Sequence, residues 1–307
     1  MSQSPYSRSW FQKASVRDSS VIIFNAESEL PFFPVEMLPM CHHPLIKDGA
    51  PAAKDYLLLQ SCYKYLQEIC ITETDVVNPA SLKIAYEEAP VKLDKQLHAD
   101  AFSIITDEAF HSYVARTFML QIEEHTGVAP LKLPRGNEVT KAIARIKSEI
   151  SADMQDDFEL VATCISENVF TDEIIEVSRM KDVNESFHKV MVDHARDEGR
   201  HAGYFIRVMR AYWEQASDIK KQALSMIIPK FIDYCFDGTH EAEFLRYALS
   251  EYGFSESEIQ VLIDANSDVM TQKNRDARLK NINKFLSLSG LLDHAPLVEA
   301  MRIAEVA

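Results

Sequence analysis

Apolar residues recur with helical spacing through most of the chain from Lys54 onward. No stretch of useful length alternates apolar and polar residues as a half-buried β-strand does. The 307 residues include only 8 glycines and 12 prolines, so turns are few and the elements between them are long. The pattern predicts an all-α fold.

The longest periodic stretches predict four long helices, at 54–77, 93–124, 137–180 and 184–216. The first is expected to end before Asn78-Pro79, because the residue before a proline disfavours helical backbone. Gly127 suits the C-terminal cap of the second helix, and Asn137 suits the N-terminal cap of the third. The third helix is expected to break or kink near Ser151. Shorter helices are predicted at 217–236, 240–251, 255–271 and 274–290.

The first fifty residues differ from the rest, because their prolines and apolar residues follow no period. They predict an extended arm that packs on the surface of the body. We expect one domain over residues 1–307, with the arm at 1–53, a helical core at 54–216 and C-terminal helices at 217–307. Neither an internal repeat nor a low-complexity segment divides the chain.

Charge and composition narrow the possible partners and the compartment. The formal net charge is −15, which argues against binding to nucleic acids or to anionic membrane surfaces. No run of 18 apolar residues predicts a membrane span, and the first fifteen residues lack the apolar core of a signal peptide. Five scattered cysteines form no CxxC pair, as expected of reduced thiols. We therefore expect a cytoplasmic protein.

Two predicted helices carry the same Glu-x-x-His spacing. On the second helix, Glu108 and His111 lie in "DEAFH"; on the fourth, Glu198 and His201 lie in "DEGRH". His194 precedes Glu198 by four residues, so all three fourth-helix side chains share one helical face. A Glu-x-x-His pair from each of two helices is half of the pattern that di-iron carboxylate bundles use. The other half is a single glutamate from each of two further helices.

Candidates for these single glutamates lie on the first and third helices. Glu73 ends an apolar stripe, and Glu167 lies within an apolar run, where an acid is costly to bury unless it is paired or bound to metal. Glu68 competes with Glu73, whereas Glu159 and Glu173 compete with Glu167 from more acidic surroundings. The predicted ligand set is Glu73, Glu108, His111, Glu167, His194, Glu198 and His201.

Simpler interpretations exist for each motif. A single Glu-x-x-His pair usually marks a solvated helix face, but two pairs on long helices, each preceded by aspartate, are much rarer. Asp193, Arg196 and Arg200 are expected to point outward and form surface ion pairs. Within the bundle, Asp107 is expected to orient His201 and Asp197 to orient His111, as outer partners of metal-bound imidazoles do.

The order Glu, E-x-x-H, Glu, H-x-x-x-E-x-x-H resembles the AurF-like di-iron N-oxygenases, the p-aminobenzoate N-oxygenase family. His194 is the feature that separates this family from most ferritin-like di-iron proteins, and the likeness covers roughly residues 55 to 210. The resemblance implies a seven-ligand site for two iron ions in a ferritin-like four-helix bundle with additional C-terminal helices. It also implies O₂-dependent oxidation of a primary amine to hydroxylamine, nitroso or nitro products, a homodimer, and a role in natural-product biosynthesis.

The substrate and the electron source are less defined. No basic cluster flanks Glu73 or Glu108, which favours a substrate other than free aminobenzoate. The chain has neither a dinucleotide-binding G-x-G-x-x-G segment nor the cysteines of an iron–sulfur cluster, so a separate reductase is expected. Two alternatives stay open: a di-iron oxidase or hydroxylase acting on carbon, and a non-catalytic metal-binding ferritin-like protein. Residues expected to line an apolar substrate cavity are Phe110, Val114, Phe170 and Phe205.

Overall fold

The computed structural model describes residues 5–18 and 20–306, without the side chains of residue 18 and residues 267–277. These residues form helices and no β-strand, so the predicted all-α, ferritin-like fold is confirmed. The helices are α1 (Pro5–Lys13), α2 (Ser15–Asp18), α3 (Pro44–Lys47), α4 (Pro51–Thr72), α5 (Asn78–Ala85), α6 (Lys95–Thr126), α7 (Glu138–Glu149), α8 (Ala152–Val177), α9 (Glu185–Gln215), α10 (Asp218–Cys235), α11 (Thr239–Tyr252), α12 (Glu256–Leu288) and α13 (Ala295–Ile303).

Four long helices, α4, α6, α8 and α9, build the bundle between two apolar clusters. Along α6 and α8 the cluster around Ile104 and Phe158 comes first and the cluster around Phe118 comes second; along α9, and along α4 with the residues that follow it, the order is reversed. The two pairs therefore run in opposite directions, which allows each helix to bury an apolar stripe against its neighbours. Between the clusters lies one layer of buried polar side chains.

The first bundle helix does not end where the sequence predicted. A π-helical turn, Glu73–Val77, follows α4, and the chain then continues directly into α5. Pro79 is tolerated because it lies in the first turn of α5, where a missing backbone N–H breaks no helical hydrogen bond. The π turn rotates the residues around it relative to a regular helix, and such turns are frequent at functional sites.

Two other predicted helix interruptions have different outcomes. The predicted break near Ser151 is confirmed, since α7 ends at Glu149 and α8 begins at Ala152. Asn137 caps α7 as predicted and accepts a hydrogen bond from the backbone N–H of Thr140. The predicted gap between helices at 255–271 and 274–290 is wrong: α12 is continuous, because no glycine or proline interrupts it there.

The segment expected to be an extended arm is partly helical and partly internal. Its described residues include α1, α2, α3 and two short 3₁₀ turns at Val35–Met37 and Pro39–His42, whereas residues 1–4 lie outside the described residues. Ala14 is buried where α1 and α2 cover α6 and α9, whereas Leu38 and Ile46 are buried where the turn at Pro39–His42 covers α12 and where α3 covers α4. Among the described residues, no helix combines the length and apolar character needed to cross a membrane.

Candidate metal centre

All seven predicted ligand side chains meet in the polar layer between the two apolar clusters. Glu73 comes from the π turn after α4, Glu167 from α8, and the remaining five from α6 and α9. Each residue is at most 5% exposed. The carboxylates and imidazoles of four helical segments therefore meet in one buried volume.

One half of the cluster contains Glu73, Glu108, His111 and His194, with one potential ligand atom from each lying within 4.8 Å of all the others. His194 Nε2 lies 3.1 Å from Glu73 Oε1. His111 Nδ1 lies 3.6 Å from that same oxygen and 3.3 Å from Glu108 Oε2. These separations between donor atoms leave room for an ion at their centre.

The other half contains Glu108, Glu167, Glu198 and His201, again within 4.8 Å of one another. His201 Nδ1 lies 3.2 Å from Glu108 Oε1, 3.4 Å from Glu198 Oε1 and 3.5 Å from Glu167 Oε1. This half has one imidazole, whereas the first half has two. The asymmetry comes from His194, which stands one turn before Glu198 on α9.

Glu108 belongs to both halves, and Glu198, from the second half, also lies close to the histidines of the first. The two carboxylate oxygens of Glu108 face different histidines, Oε2 towards His111 and Oε1 towards His201. Glu198 Oε1 lies 3.0 Å from His194 Nε2, 3.7 Å from His111 Nδ1 and 3.4 Å from His201 Nδ1. Both carboxylates are therefore placed to bridge two ions.

Unpartnered buried atoms test whether metal ions fit this cluster. Four of its atoms have no hydrogen-bond partner although they are buried: Glu73 Oε1, Glu167 Oε1, Glu198 Oε1 and His201 Nδ1. Such atoms normally find a partner, because an unsatisfied buried polar group is costly. All four point into the same volume as the other ligand atoms. Four carboxylates with three imidazoles suit hard to borderline divalent or trivalent metals such as iron.

The electrostatics of the cluster show the same crowding of negative charge. Burial, together with repulsion from Glu198 and Glu108, raises the pKa of Glu167 to about 8. Burial disfavours the charge on Glu198 too, but His201 and His194 hold its pKa well below its usual range. Burial and His111 lower the pKa of His194, but Glu198 and Glu73 outweigh them and raise it to about 9. Without metal, protons supply part of the missing positive charge.

Two aspartates stand behind the histidines. Asp197 Oδ2 lies 3.0 Å from His111 Nε2, and Asp107 Oδ2 lies 3.1 Å from His201 Nε2, each across the helix pair as the sequence predicted. Both aspartates are completely buried. Each contact leaves the opposite ring nitrogen, Nδ1, directed at the cluster.

The surface role predicted for Arg200 is wrong. Its side chain is only 10% exposed, and its Nη2 binds Asp197 and lies 3.1 Å from Asp107. The two Asp-His contacts bring both carboxylates close together, and the guanidinium of Arg200 can neutralise both of them. Arg196 follows the prediction, since it pairs with Asp193 near the surface at 2.6 Å.

The N-terminal segment supplies contacts that sequence analysis missed. Trp10 Nε1 donates to Asp107 Oδ1 at 2.8 Å. The backbone N–H and the hydroxyl of Ser15 donate to Asp197 Oδ2 at 3.1 and 2.5 Å. No local signal could have revealed these contacts, because about 90 or more residues separate the partners in the sequence.

Two hydroxyls also hold ligand carboxylates. Ser112 Oγ donates to Glu73 Oε2 at 2.7 Å, and Thr171 Oγ1 lies 3.3 Å from Glu198 Oε2. Thr171 follows Glu167 by four residues, so helical spacing alone places it on the face of α8 that carries the cluster. Ser112 follows His111 directly, and only the position of the neighbouring helix brings it to Glu73.

A cavity of about 610 Å³ lies beside the metal centre, bordered by α4, α8 and the C-terminal helices α10 to α12. A smaller space of about 40 Å³ touches Glu73, Glu108, Glu167, His194 and Glu198. The residues that line both spaces are Tyr65, Glu68, Phe170 and Glu173. These four side chains, which we call the neck, border both the larger cavity and the small space at the cluster.

Of the four residues predicted to line the substrate cavity, only Phe170 does so. Phe110 lies two positions after Glu108, which turns it away from the cluster on α6. Val114 packs against the apolar cluster around α4 and the first half of α9. Phe205 is fully buried in the opposite apolar cluster, so it fills the core and leaves no space beside it.

Partly buried ion pairs line the larger cavity. Lys64 Nζ lies 2.9 Å from Glu68 and 2.6 Å from Glu241, while Arg278 pairs with Glu173. Burial lowers the pKa of Lys64, but the two glutamates outweigh it and raise that pKa above its ordinary value. Among the described lining residues, acidic side chains outnumber basic ones by five to two.

Two comparisons with known proteins identify the family of this chain. The model of the family described as P-aminobenzoate N-oxygenase AurF matches residues 18–278, well over half of the chain. A 4-aminobenzoate N-oxygenase from Streptomyces thioluteus is 22% identical over 232 residues, which cover 72% of this chain and 67% of that protein. The matched region spans all seven clustered side chains. The chain therefore belongs to the p-aminobenzoate N-oxygenase AurF family.

Proposed function

We propose that the protein is a non-haem di-iron, O₂-dependent N-oxygenase that oxidises a primary amine to a hydroxylamine, nitroso or nitro product. The observation that carries this function is the cluster of seven buried ligand side chains, with four unpartnered atoms, at the neck of a cavity. The family match and the relative's name support oxidation at nitrogen. A role in natural-product biosynthesis and a homodimeric state stay predictions.

Each ligand has a distinct part in this proposal. Glu73, His111 and His194 would hold one iron ion, whereas Glu167 and His201 would hold the other. Glu108 and Glu198 would bridge the two ions, since each reaches both halves of the cluster. The bound irons would supply the activation of O₂ and the oxidising equivalents.

The protein side chains around the cluster would orient its ligands. Asp197 and Asp107 accept hydrogen bonds from the Nε2–H groups of His111 and His201, which keeps both Nδ1 lone pairs directed inward. Arg200 contacts both buried aspartates and balances their charge. Burial of the whole cluster excludes water, which would otherwise compete with the amine.

The cavity would bind the amine substrate. The amine nitrogen would pass the neck at Phe170 to reach the cluster, while the rest of the molecule stays among the side chains of α10, α11 and α12. The lining cations Lys64 and Arg278 are already paired with glutamates. Neither of these two side chains is therefore available to bind a substrate carboxylate. The acidic lining favours a neutral or cationic amine over a free aminobenzoate.

Product analysis tests the function directly. Iron-loaded protein would be incubated with aryl and aliphatic amines, ¹⁸O₂ and a chemical reductant, and the products would be analysed by mass spectrometry. We expect one or more amines to yield N-oxygenated products that contain ¹⁸O. Iron-dependent hydroxylation at carbon would instead support the oxidase or hydroxylase alternative. Stable iron binding with no turnover of any amine would support a metal-binding protein without catalysis.

The C-terminal helices argue against simple metal storage. A protein that only stores iron needs a path for ions, whereas here α10 to α12 enclose a space large enough for a small organic molecule. This enclosure lies directly beside the neck that reaches Glu73 and Glu198. A substrate-sized cavity at an oxidising metal centre is expected of an enzyme.

A further inference from the structure

The two outer aspartates are equivalent in their contacts to histidine but differ in what lies behind them. Asp197 is held by the backbone and hydroxyl of Ser15, a group with no redox chemistry. Asp107 is held by the indole N–H of Trp10. Of the two aspartates, Asp107 is therefore the one whose described hydrogen bonds lead from the cluster to an aromatic side chain, through His201, Asp107 and Trp10.

This connection is continuous and short. Trp10 Nε1 lies 2.8 Å from Asp107 Oδ1, and Asp107 Oδ2 lies 3.1 Å from His201 Nε2. The opposite nitrogen of His201 faces Glu108, Glu167 and Glu198 within 3.5 Å. Hydrogen-bonded contacts of this kind couple donor and acceptor orbitals better than gaps through space do.

The outer end of the connection reaches the protein surface. Trp10 is only partly buried, and the guanidinium of Arg17 lies 5.6 Å from the centre of its ring. Phe11, which makes an edge contact with Trp10, is 47% exposed. A partner molecule that covered α1 would therefore lie against the aromatic pair.

The segment that carries Trp10 also has an unusual charge. Residues 5–17 contain Arg8, Lys13 and Arg17 and no acidic residue, although the whole chain carries a formal charge of −15. All three cations are exposed. We name the surface formed by these cations together with Trp10 and Phe11 the α1 surface. The positive charge of the α1 surface is complementary to an acidic partner and would attract that partner before the two proteins touch.

We propose that the α1 surface binds a small acidic one-electron carrier protein and that Trp10, Asp107 and His201 conduct its electrons to the iron centre. This inference rests on the proposed function, which needs reducing equivalents that the chain does not supply. Each carrier molecule, of the iron–sulfur or flavin class, loses one electron, and one ferric ion gains it. Two such transfers reduce both irons, and Trp10 undergoes no net change.

The first test measures electron transfer without turnover. Ferric iron-loaded protein would be mixed anaerobically with a reduced acidic [2Fe–2S] ferredoxin, and the loss of ferric absorbance would be followed by stopped flow. We expect Trp10→Phe to slow this reduction at least tenfold, since the phenyl ring cannot donate to Asp107. Trp213→Phe is the matched control, because Trp213 contacts neither the cluster nor either outer aspartate in the described contacts, and it should leave the rate unchanged.

A merely structural role for Trp10 predicts a different outcome. If Trp10 only steadied Asp107, Trp10→Phe would lower iron content or alter reduction by dithionite, a small reductant that needs no docking surface. We expect both to match the wild type. Wild-type reduction rates from ferredoxin in the Trp10→Phe protein would overturn the conducting role, and so would an equal slowing with dithionite.

The second test addresses docking and needs no iron. Titration calorimetry would measure ferredoxin binding to the metal-free protein at low and moderate salt. We expect the combined change Arg8→Glu, Lys13→Glu and Arg17→Glu to abolish measurable binding and its salt dependence. The matched triple change Lys132→Glu, Lys181→Glu and Lys230→Glu, on exposed residues of other elements, should preserve binding. Equal affinities for both triple variants would overturn the α1 surface as the docking site.

These outcomes stay separate from those of the proposed function. If the wild-type protein bound no iron, the proposed function would fail before electron transfer could be measured. If iron-loaded protein oxidised amines with a chemical reductant, but neither Trp10 nor the α1 cations affected reduction by ferredoxin, only the electron-entry inference would fail.

Discussion

The metal centre and the cavity beside it both contain several acidic side chains, but the charges of these side chains are neutralised differently. In the cavity, Lys64 lies between Glu68 and Glu241, and Arg278 pairs with Glu173. In the metal centre, four glutamates face three histidines and, among the described side chains, no lysine or arginine, and four atoms have no hydrogen-bond partner. Two adjacent regions of one bundle thus solve the same electrostatic problem in two ways.

The difference shows which region needs an exogenous ion. The partly buried carboxylates of the cavity are already neutralised by side-chain cations, and removing one partner of such a pair destabilises the folded state. Buried carboxylates without cations must take up protons or metal, as the raised pKa of Glu167 indicates. Removing a glutamate from the metal centre should therefore reduce the amount of bound metal. Removing a glutamate from the cavity should instead lower the free energy of unfolding.

The largest expected effect is the loss of iron from a bridging-ligand variant. Glu108→Ala and Glu198→Ala should each reduce bound iron from about two ions per chain to well below one, because each carboxylate reaches both halves of the cluster. Metal analysis of purified, iron-reconstituted protein measures this. Glu243→Ala, which removes an exposed glutamate paired with Lys141, is the control and should load fully. Full loading of the Glu108 and Glu198 variants would refute the ligand assignment.

The second effect separates metal binding from chemistry. His194→Ala should keep much of its iron, since six ligands remain, yet lose amine N-oxidation. Oxygen consumption is expected to continue without matching product. Iron content, oxygen uptake and N-oxygenated product would be measured in the same preparation. A wild-type product yield would show that the third imidazole is not needed for oxidation at nitrogen.

A smaller effect is expected when an aspartate that contacts a ligand histidine from outside the cluster is changed. Asp197→Asn should weaken iron binding or activity by about 10- to 100-fold, because the amide can no longer accept from His111 as a carboxylate does. Competition with an iron chelator measures the affinity. Asp100→Asn, on a buried aspartate two turns before Asp107, is a suitable control and should leave the affinity unchanged. Equal affinities for both variants would assign Asp197 a purely structural role.

The smallest effect concerns the cavity and completes the comparison. Lys64→Met should destabilise the metal-free protein by about 2 kcal/mol, less than a fully buried pair would lose, because the Glu241 side chain is 44% exposed. Urea denaturation measures the loss, and the iron content should not change. Lys132→Met, at an exposed loop position, should match the wild type in both measurements. Loss of iron from the Lys64 variant would mean that the two regions are not independent.

Much of the metal centre follows from helical geometry, which is a local property of the chain. The spacings Glu108-x-x-His111 and His194-x₃-Glu198-x-x-His201 place side chains on one face of whatever helix contains them. An acid within an apolar stripe, such as Glu167, must be satisfied wherever the helix packs. The sequence also identified the family and the contacts of Asp107 and Asp197 to histidines on the facing helix.

Other features depend on how the helices are rotated and on which distant segments cover them. The sequence by itself determined the helical character, the four bundle helices and the seven side chains that meet. Only the tertiary structure decided that Arg200 turns inward, that Trp10 and Ser15 reach the outer aspartates, and that the cavity is lined by α10 to α12 instead of by Phe110, Val114 and Phe205. Periodicity defines which residues share a face, because that depends on neighbours within two turns. Contacts between segments about 90 or more residues apart arise from packing alone, and a single sequence carries no local signal of them.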